Sequence, residues 1–257
     1  MSFELLVAVL ETNRMIAKII LASIIPLLPL LPLTIFMVKD SGKMKTVGLF
    51  SLIFFSYQII LKLPTEMNGL QIIQGKWNWT GKVFGILFGI LSYLLLKHKL
   101  SSFTFLQFRQ NAKSLKTTWL LTIIIICTSF LAYFDTSKPF DIETLLYQLT
   151  MPGFDEEIMF RGVLLGLLLT CFKDKIVIGG KEFGNPSVLF VGLLFGLTHG
   201  FMITDNLGIK FEPYSFIWTS ILGYAWGWIT VESKSILQSV LSHNMLNFIT
   251  NIIRMSN

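Results

Sequence analysis

The chain has 257 residues, of which 53% are hydrophobic and only 14% are charged, with 23 phenylalanines and a formal net charge of +6. A soluble fold of this length cannot bury so much apolar surface, so the composition excludes an ordinary soluble enzyme and predicts an integral membrane protein. The basic residues lie mostly between apolar runs, where Lys and Arg set membrane orientation, and we therefore expect no nucleic-acid partner.

The N-terminal segment 1–14 has apolar residues at helical spacing and predicts a helix on the membrane surface. In the apolar run that follows, Pro26, Pro29 and Pro32 predict a kinked or locally unwound span. A window of about 20 residues, the length that crosses roughly 30 Å of hydrocarbon, gives the other spans as well. The sequence thus predicts an all-α, polytopic membrane helix bundle with about eight transmembrane helices, over 16–38, 47–63, 83–96, 117–134, 154–172, 186–202, 214–231 and 236–253.

Glycines recur every four residues in several spans and predict close packing between helices. They are Gly81, Gly85 and Gly89, then Gly162 and Gly166, then Gly192, Gly196 and Gly200, and finally Gly223 and Gly227. The longest connection, 97–116, is basic and is expected to lie on the membrane surface. We expect one integral membrane domain over 1–257, with a motif-bearing half at about 140–257. Cys127 and Cys171 indicate neither a disulfide nor a cysteine metal site.

Ionisable residues inside the spans are few, and such residues mark functional sites by default because lipid makes them costly. His199 and His243 are two of only three histidines in the chain. Glu157 and Arg161 are four residues apart in the order that favours a helical ion pair, which makes the arginine tolerable near lipid. Glu156 has no local partner. A simpler interpretation, in which both acids stabilise a helix start, leaves the two histidines unexplained.

Helical periodicity puts Phe195 and His199 on one face, and His243 and Asn247 on another. Because successive spans run in opposite directions, Glu156, His199 and His243 are expected toward the same side of the bilayer, lining one cavity. A carboxylate, two imidazoles and an amide in such a cavity are able to activate water and to stabilise an oxyanion.

The motifs EExxxR, FxxxH and HxxxN, in this order on successive apolar segments, resemble the CAAX protease and bacteriocin-processing (CPBP, abortive-infection-type) family, which includes the Ras-converting CAAX endopeptidases. Here the motifs are Glu156 to Arg161, Phe195 to His199 and His243 to Asn247. The resemblance implies an intramembrane glutamate-type endopeptidase that needs no cofactor. Glu156 and His199 would activate the water, His243 and Asn247 would hold the oxyanion, and Glu157 and Arg161 would support the site together with Phe195.

The same resemblance implies a multi-pass protein of the cell membrane whose partners are the lipid bilayer and a peptide or protein substrate. In the eukaryotic and some related members the substrate is prenylated, whereas bacterial members are associated with peptide maturation, bacteriocin self-immunity or regulation of membrane partners. The sequence does not identify which of these substrates the protein acts on, and it does not indicate an oligomeric state.

Three alternatives remain open from the sequence. Glu156, His199 and His243 are also a chemically reasonable set of three zinc ligands. Against zinc, the HExxH signature is absent and Asn247 suits an oxyanion better than a metal, so no metal is expected. The second alternative is a non-catalytic scaffold or immunity protein of the same fold. The third is a proton-coupled transporter.

The charge distribution also predicts an orientation. Five basic residues lie within 97–116 and predict a cytoplasmic position for that connection. Both termini would then lie outside, with the cavity nearer the outer side.

Overall fold

The computed structural model describes residues 3–256, and within them every side chain except those of 3–9, 68 and 178. The helices are α1 (Phe3–Ile24), α2 (Leu31–Met37), α3 (Met44–Glu66), α4 (Trp79–Leu95), α5 (Leu115–Cys127), α6 (Ile142–Glu157), α7 (Leu165–Cys171), α8 (Pro186–Gly200), α9 (Pro213–Ser233) and α10 (Leu237–Ser256). In the described part of the chain, strands occur only as two short antiparallel hairpins, Val177–Ile178 with Lys181–Glu182 and Phe201–Ile203 with Ile209–Phe211. The predicted helical fold is confirmed.

Two helical stretches within residues 3–256 are long and apolar enough to cross a bilayer by length and composition, namely Ser41–Glu66 and Leu115–Phe134. The second includes the 3₁₀ turns that follow α5. Two further apolar helices, Trp79–Leu95 and Pro186–Gly200, are shorter. The count of eight transmembrane helices therefore stays a prediction.

The proline-rich first span is interrupted as predicted. Turns that contain Pro26 and Pro29 separate α1 from α2, and Pro32 lies in the first turn of α2. Proline is tolerated there because the first amides of a helix have no partner within the helix. A separate surface helix over 1–14 was wrong for the described residues, since α1 continues without a break from Phe3 to Ile24; residues 1 and 2 lie outside the described residues.

The fifth predicted span begins twelve residues earlier than expected, at Ile142 instead of 154. Helix α6 passes through a π-helical segment, Ile158–Leu164, into α7, which makes one continuous helical rod. Pro152 lies inside α6 and removes a backbone donor. Asn244 of α10 compensates at this point: its Oδ1 accepts from the Gly153 amide at 2.7 Å, and its Nδ2 donates to the Thr150 carbonyl at 3.1 Å.

This longer helix excludes the interpretation that Glu156 and Glu157 stabilise a helix start. The helix N-terminus is capped instead by Asp141, whose carboxylate accepts from the backbone amide of Glu143 at 3.1 Å. The two glutamates lie in the middle of the helical rod, far from this N-terminus. A helix dipole acts mainly within the first turn, so it does not account for their position.

Close helix packing at glycine is confirmed most clearly between α8 and α9. A Cβ on Gly192 would lie 2.8 Å from the backbone nitrogen of Tyr224, and one on Gly223 would lie 3.0 Å from the Gly192 carbonyl oxygen. Any side chain at these positions would push the helices apart. This contact fixes α8, which carries His199, against α9, which forms one wall of the cavity.

The long connection before α5 is anchored in the protein core, and its expected position on the membrane surface stays a prediction. Leu100 is fully buried and Phe105 is 4% exposed, both in the main hydrophobic core. The connection also binds the turn between α9 and α10, with hydrogen bonds from Asn111 N to Ser233 O at 2.8 Å and from Ile236 N to Phe105 O at 3.0 Å. These hydrogen bonds hold the α9–α10 corner against the connection.

Candidate active site

A cavity of about 540 Å³ opens between α6, α8, α9 and α10. All four residues predicted to be catalytic line it, together with Phe195: these are Glu156, His199, His243 and Asn247. The predicted convergence of residues from three separate helices is therefore present in the structure.

Glu156 faces both histidines across this cavity. Its Oε2 lies 3.9 Å from Nε2 of His199 and 3.9 Å from Nε2 of His243. This oxygen is buried and has no hydrogen-bond partner within the described structure. An unpaired buried carboxylate oxygen is costly, so its position calls for a ligand or a chemical role.

The tautomer of His199 follows from its hydrogen bond. Its Nδ1 lies 2.8 Å from the backbone carbonyl oxygen of Phe195, one turn earlier in α8. A carbonyl only accepts, so Nδ1 carries the proton, and Nε2 of the neutral ring has a free lone pair. That lone pair is on the nitrogen that faces Glu156, and the Phe195 ring lies beside the imidazole with 4.5 Å between ring centroids.

His243 is held on two sides. Its Nδ1 donates to Oε1 of Glu157 at 2.9 Å, and its ring stacks on Trp226 with 4.2 Å between centroids and 13° between planes. Because Nδ1 is the donor to Glu157, Nε2 donates only when the ring is protonated on both nitrogens.

Asn247 lies one turn beyond His243 on α10 and presents a second polar group to the cavity. Ser242 lies next to His243 in the chain but does not line the cavity. Its hydroxyl accepts a hydrogen bond from the indole Nε1 of Trp226 at 2.7 Å.

The predicted ion pair between Glu157 and Arg161 is confirmed, with 2.9 Å between Oε1 and Nη1. Both side chains are fully buried inside the protein. Arg161 also donates from Nη2 to the Gly223 carbonyl at 3.0 Å, and its guanidinium lies 4.6 Å from the centroid of the Phe195 ring. The arginine thus links α9 and α8 to the glutamate that holds His243.

Sequence reasoning missed a buried lysine. Glu156 is not without a partner: Lys82 of α4 lies 2.6 Å from its Oε1 and 2.8 Å from Oδ2 of Asp155. Tyr57 of α3 donates to the same Asp155 oxygen at 2.7 Å. The sequence does show this lysine as a charged residue within an apolar segment. The predicted span began one residue later, at 83, and so placed Lys82 in a loop.

The separations between the cavity side chains also bear on metal binding. No group of three or more His, Cys, Asp or Glu side chains in the described residues is arranged to hold a metal ion. Tetrahedral zinc with bonds of about 2.0–2.2 Å places its ligand atoms roughly 3.3–3.5 Å apart, closer than the separations of 3.9 Å found here. The Lys82 ammonium on Glu156 also opposes a second cation. Metal independence stays a prediction.

Polar groups outside the helices fix the loop before α4 against the start of α6. Nζ of Lys76 lies 2.9 Å from Oδ2 of Asp141. This hydrogen bond lowers the pKa of Asp141 below its ordinary value and raises the pKa of Lys76. Beside it, Trp77 stacks on Tyr147 with 4.9 Å between centroids, and both rings line the cavity.

Residues 138–249 match the family described as type II CAAX prenyl endopeptidase Rce1-like. This stretch runs from just before α6 to within α10 and includes all three motifs. No curated protein and no solved structure matches the chain.

Proposed function

We propose that this chain, whose residues 138–249 match the CAAX prenyl endopeptidase family, is an intramembrane endopeptidase that cleaves with a water activated by Glu156 and His199. The family is one of membrane proteases, which supports peptidase activity in general. The observation that carries the specific mechanism is the unpartnered Oε2 of Glu156, which faces two imidazole nitrogens in the cavity.

The proposed nucleophile is a water between Glu156 and His199. Hydrogen bonds of about 2.8 Å from one water fit two acceptors 3.9 Å apart. With both protons donated, to Oε2 and to Nε2, the water oxygen keeps its lone pairs for the scissile carbonyl carbon. As the new C–O bond forms, Glu156 takes one proton and later returns it to the leaving amine when the C–N bond breaks.

The carbonyl oxygen becomes an oxyanion in this step and needs hydrogen-bond donors. We propose that the doubly protonated ring of His243 donates from Nε2, and that the Asn247 amide donates beside it. Glu157 and Arg161 act one step behind: Glu157 holds Nδ1 of His243, and Arg161 holds Glu157. Phe195 supports the guanidinium and packs beside His199.

The substrate class proposed is a hydrophobic, lipidated or membrane-delivered peptide, with prenylated proteins among the candidates. Aromatic side chains make up much of the cavity wall, and they suit an apolar chain better than a charged one. They are Trp77, Tyr147, Tyr214, Trp218 and Trp226. The protein would act as an integral, multi-pass protein of the cell membrane, organised as one domain.

The test is cleavage of a quenched peptide library by the purified full chain in liposomes. Wild type should cleave, whereas Glu156→Gln and His199→Ala should fold normally and lose activity. The matched control is Glu212→Gln, which removes a carboxylate from an exposed ion pair with Lys210 and should leave activity unchanged. Full activity of a folded Glu156→Gln protein overturns the mechanism. Peptide binding without cleavage favours a scaffold, and solute movement across sealed liposomes favours a transporter.

A further inference from the structure

We propose that Lys82 is a positioning residue of this site: it keeps Glu156 ionised and turns its Oε2 toward the two histidines. The inference rests on the proposed function for its role in turnover, but the charge contact itself is independent of activity. No motif contains Lys82, and it lies 74 positions before Glu156 in the chain.

The contact is specific and enclosed. Lys82 is 8% exposed and its Nζ lies between two carboxylates, 2.6 Å from Oε1 of Glu156 and 2.8 Å from Oδ2 of Asp155. Because Oε1 is bound to the ammonium, the carboxylate plane is fixed, and Oε2 is the oxygen left to face the cavity. The asymmetry between the two oxygens of Glu156 therefore originates in α4.

The ammonium is itself held in place from α3 and α6. Tyr57 donates to the Asp155 oxygen that Lys82 binds, so three side chains share one polar cluster. Gly85, one turn after Gly81 on α4, provides the room: a Cβ on it would lie 2.1 Å from Oδ1 of Asp155. Asp155 thus anchors the lysine, and the lysine orients its neighbour Glu156.

The chemical consequence concerns the charge of the base. A carboxylate that is removed from water without a partner is unstable and tends to bind a proton instead. A protonated Glu156 has no lone pair ready to accept a proton from water, so the proposed attack would stop. The Lys82 ammonium removes this penalty, while Asp155 shares the same cation and keeps the net charge of the cluster at one negative unit.

The kinetic experiment uses Lys82→Ala in the full chain in liposomes. We expect kcat to fall about a hundredfold with KM little changed, as for loss of an acid–base function. Because Lys82 lines the cavity, added ethylammonium should restore part of the rate, while tetramethylammonium, which donates no hydrogen bond, should not. The matched control is Lys39→Ala: Lys39 pairs with Asp174 at 2.9 Å, neither residue lines the cavity, and its loss should leave kcat unchanged.

A second experiment needs no catalysis. Dicyclohexylcarbodiimide adds to protonated carboxyl groups in apolar surroundings, and mass spectrometry locates the adduct. Glu156 should remain unlabelled in wild type and in Lys39→Ala but should become labelled in Lys82→Ala.

The two experiments separate the two proposals. If wild type cleaves no peptide, the proposed function fails, and labelling of Glu156 only in Lys82→Ala still supports the role of Lys82. A folded Lys82→Ala protein with wild-type kcat, or one in which Glu156 stays unlabelled, overturns that role.

Discussion

Replacement of Arg161 by methionine should be among the most destabilising single changes in the chain. The guanidinium is fully buried, donates to Glu157 at 2.9 Å and to the Gly223 carbonyl at 3.0 Å, and lies 4.6 Å from the Phe195 ring centroid. Methionine fills much of the volume but leaves Glu157 as a buried acid. Breaking a buried ion pair in this way costs about 3–5 kcal/mol in the free energy of unfolding.

The structure places this substitution toward the lower end of that range. Nδ1 of His243 still donates to Glu157, so the acid keeps one partner. We therefore expect a loss of about 3 kcal/mol. The change should also lower activity, because Glu157 then no longer holds His243 in one position.

A double-mutant cycle with Glu157→Gln isolates the charge contribution. Glutamine keeps an acceptor for His243 but removes the negative charge, so the double mutant has no uncompensated ion. The coupling between the two changes should be about 2–3 kcal/mol. Equilibrium unfolding in mixed micelles, followed by tryptophan fluorescence, measures it, since Trp226 lies 5.4 Å from the guanidinium.

The matched control is Lys175→Met, which breaks an exposed ion pair with Glu182 of 2.6 Å. A surface pair contributes about 0–1 kcal/mol, so this variant should unfold close to wild type. Arg161→Met within about 0.5 kcal/mol of wild type, or additive effects of Arg161→Met and Glu157→Gln within that margin, would refute the reasoning.

Three further outcomes are expected. Asn247→Ala should lower kcat about a hundredfold, the loss typical of one oxyanion donor, and wild-type activity should survive a strong chelator; inhibition that added zinc reverses would make Glu156 a metal ligand instead. Asn244→Leu should lower the free energy of unfolding by about 1–3 kcal/mol, because the buried Gly153 amide loses its acceptor; an unchanged denaturation midpoint would contradict this. Asp141→Ala should be less stable than wild type at neutral pH. The pKa of Asp141 is lowered in the folded protein, so its contribution to stability is present above the ordinary carboxyl pKa. This contribution is lost as the pH falls through the lowered pKa. The stabilities of the two proteins should therefore converge below about pH 4, as measured by pH-dependent thermal unfolding.

Local spacing was enough to identify the groups that share a helix face. Four residues bring side chains to the same side of a helix, and the pairs Glu157 with Arg161 and Phe195 with His199 are in contact as expected. The scarcity of ionisable residues in apolar segments then indicated which faces matter. Both signals depend only on helical periodicity and on the cost of charge in lipid, so they can be read without a fold.

The bounds of the helix that carries the two glutamates could not be read in this way. A proline and a glycine at 152 and 153 predict a helix boundary, because proline leaves a backbone group without its partner. Asn244, about ninety residues later, binds the Gly153 amide and the Thr150 carbonyl beside the proline, and α6 continues through this point. The path of the basic connection over 97–116 depends on the tertiary structure in a similar way, since Leu100 and Phe105 are buried against helices distant in sequence.

The sequence by itself determined the composition of the site and the faces on which its motif residues lie, because a helix repeats over four residues. Only the tertiary structure decided the partner of Glu156 and the charge around it. Lys82 reaches this glutamate because α4 packs against α6 through glycines that leave room for Asp155. Such a contact depends on how two helices are placed in space, and no spacing along one helix contains that information.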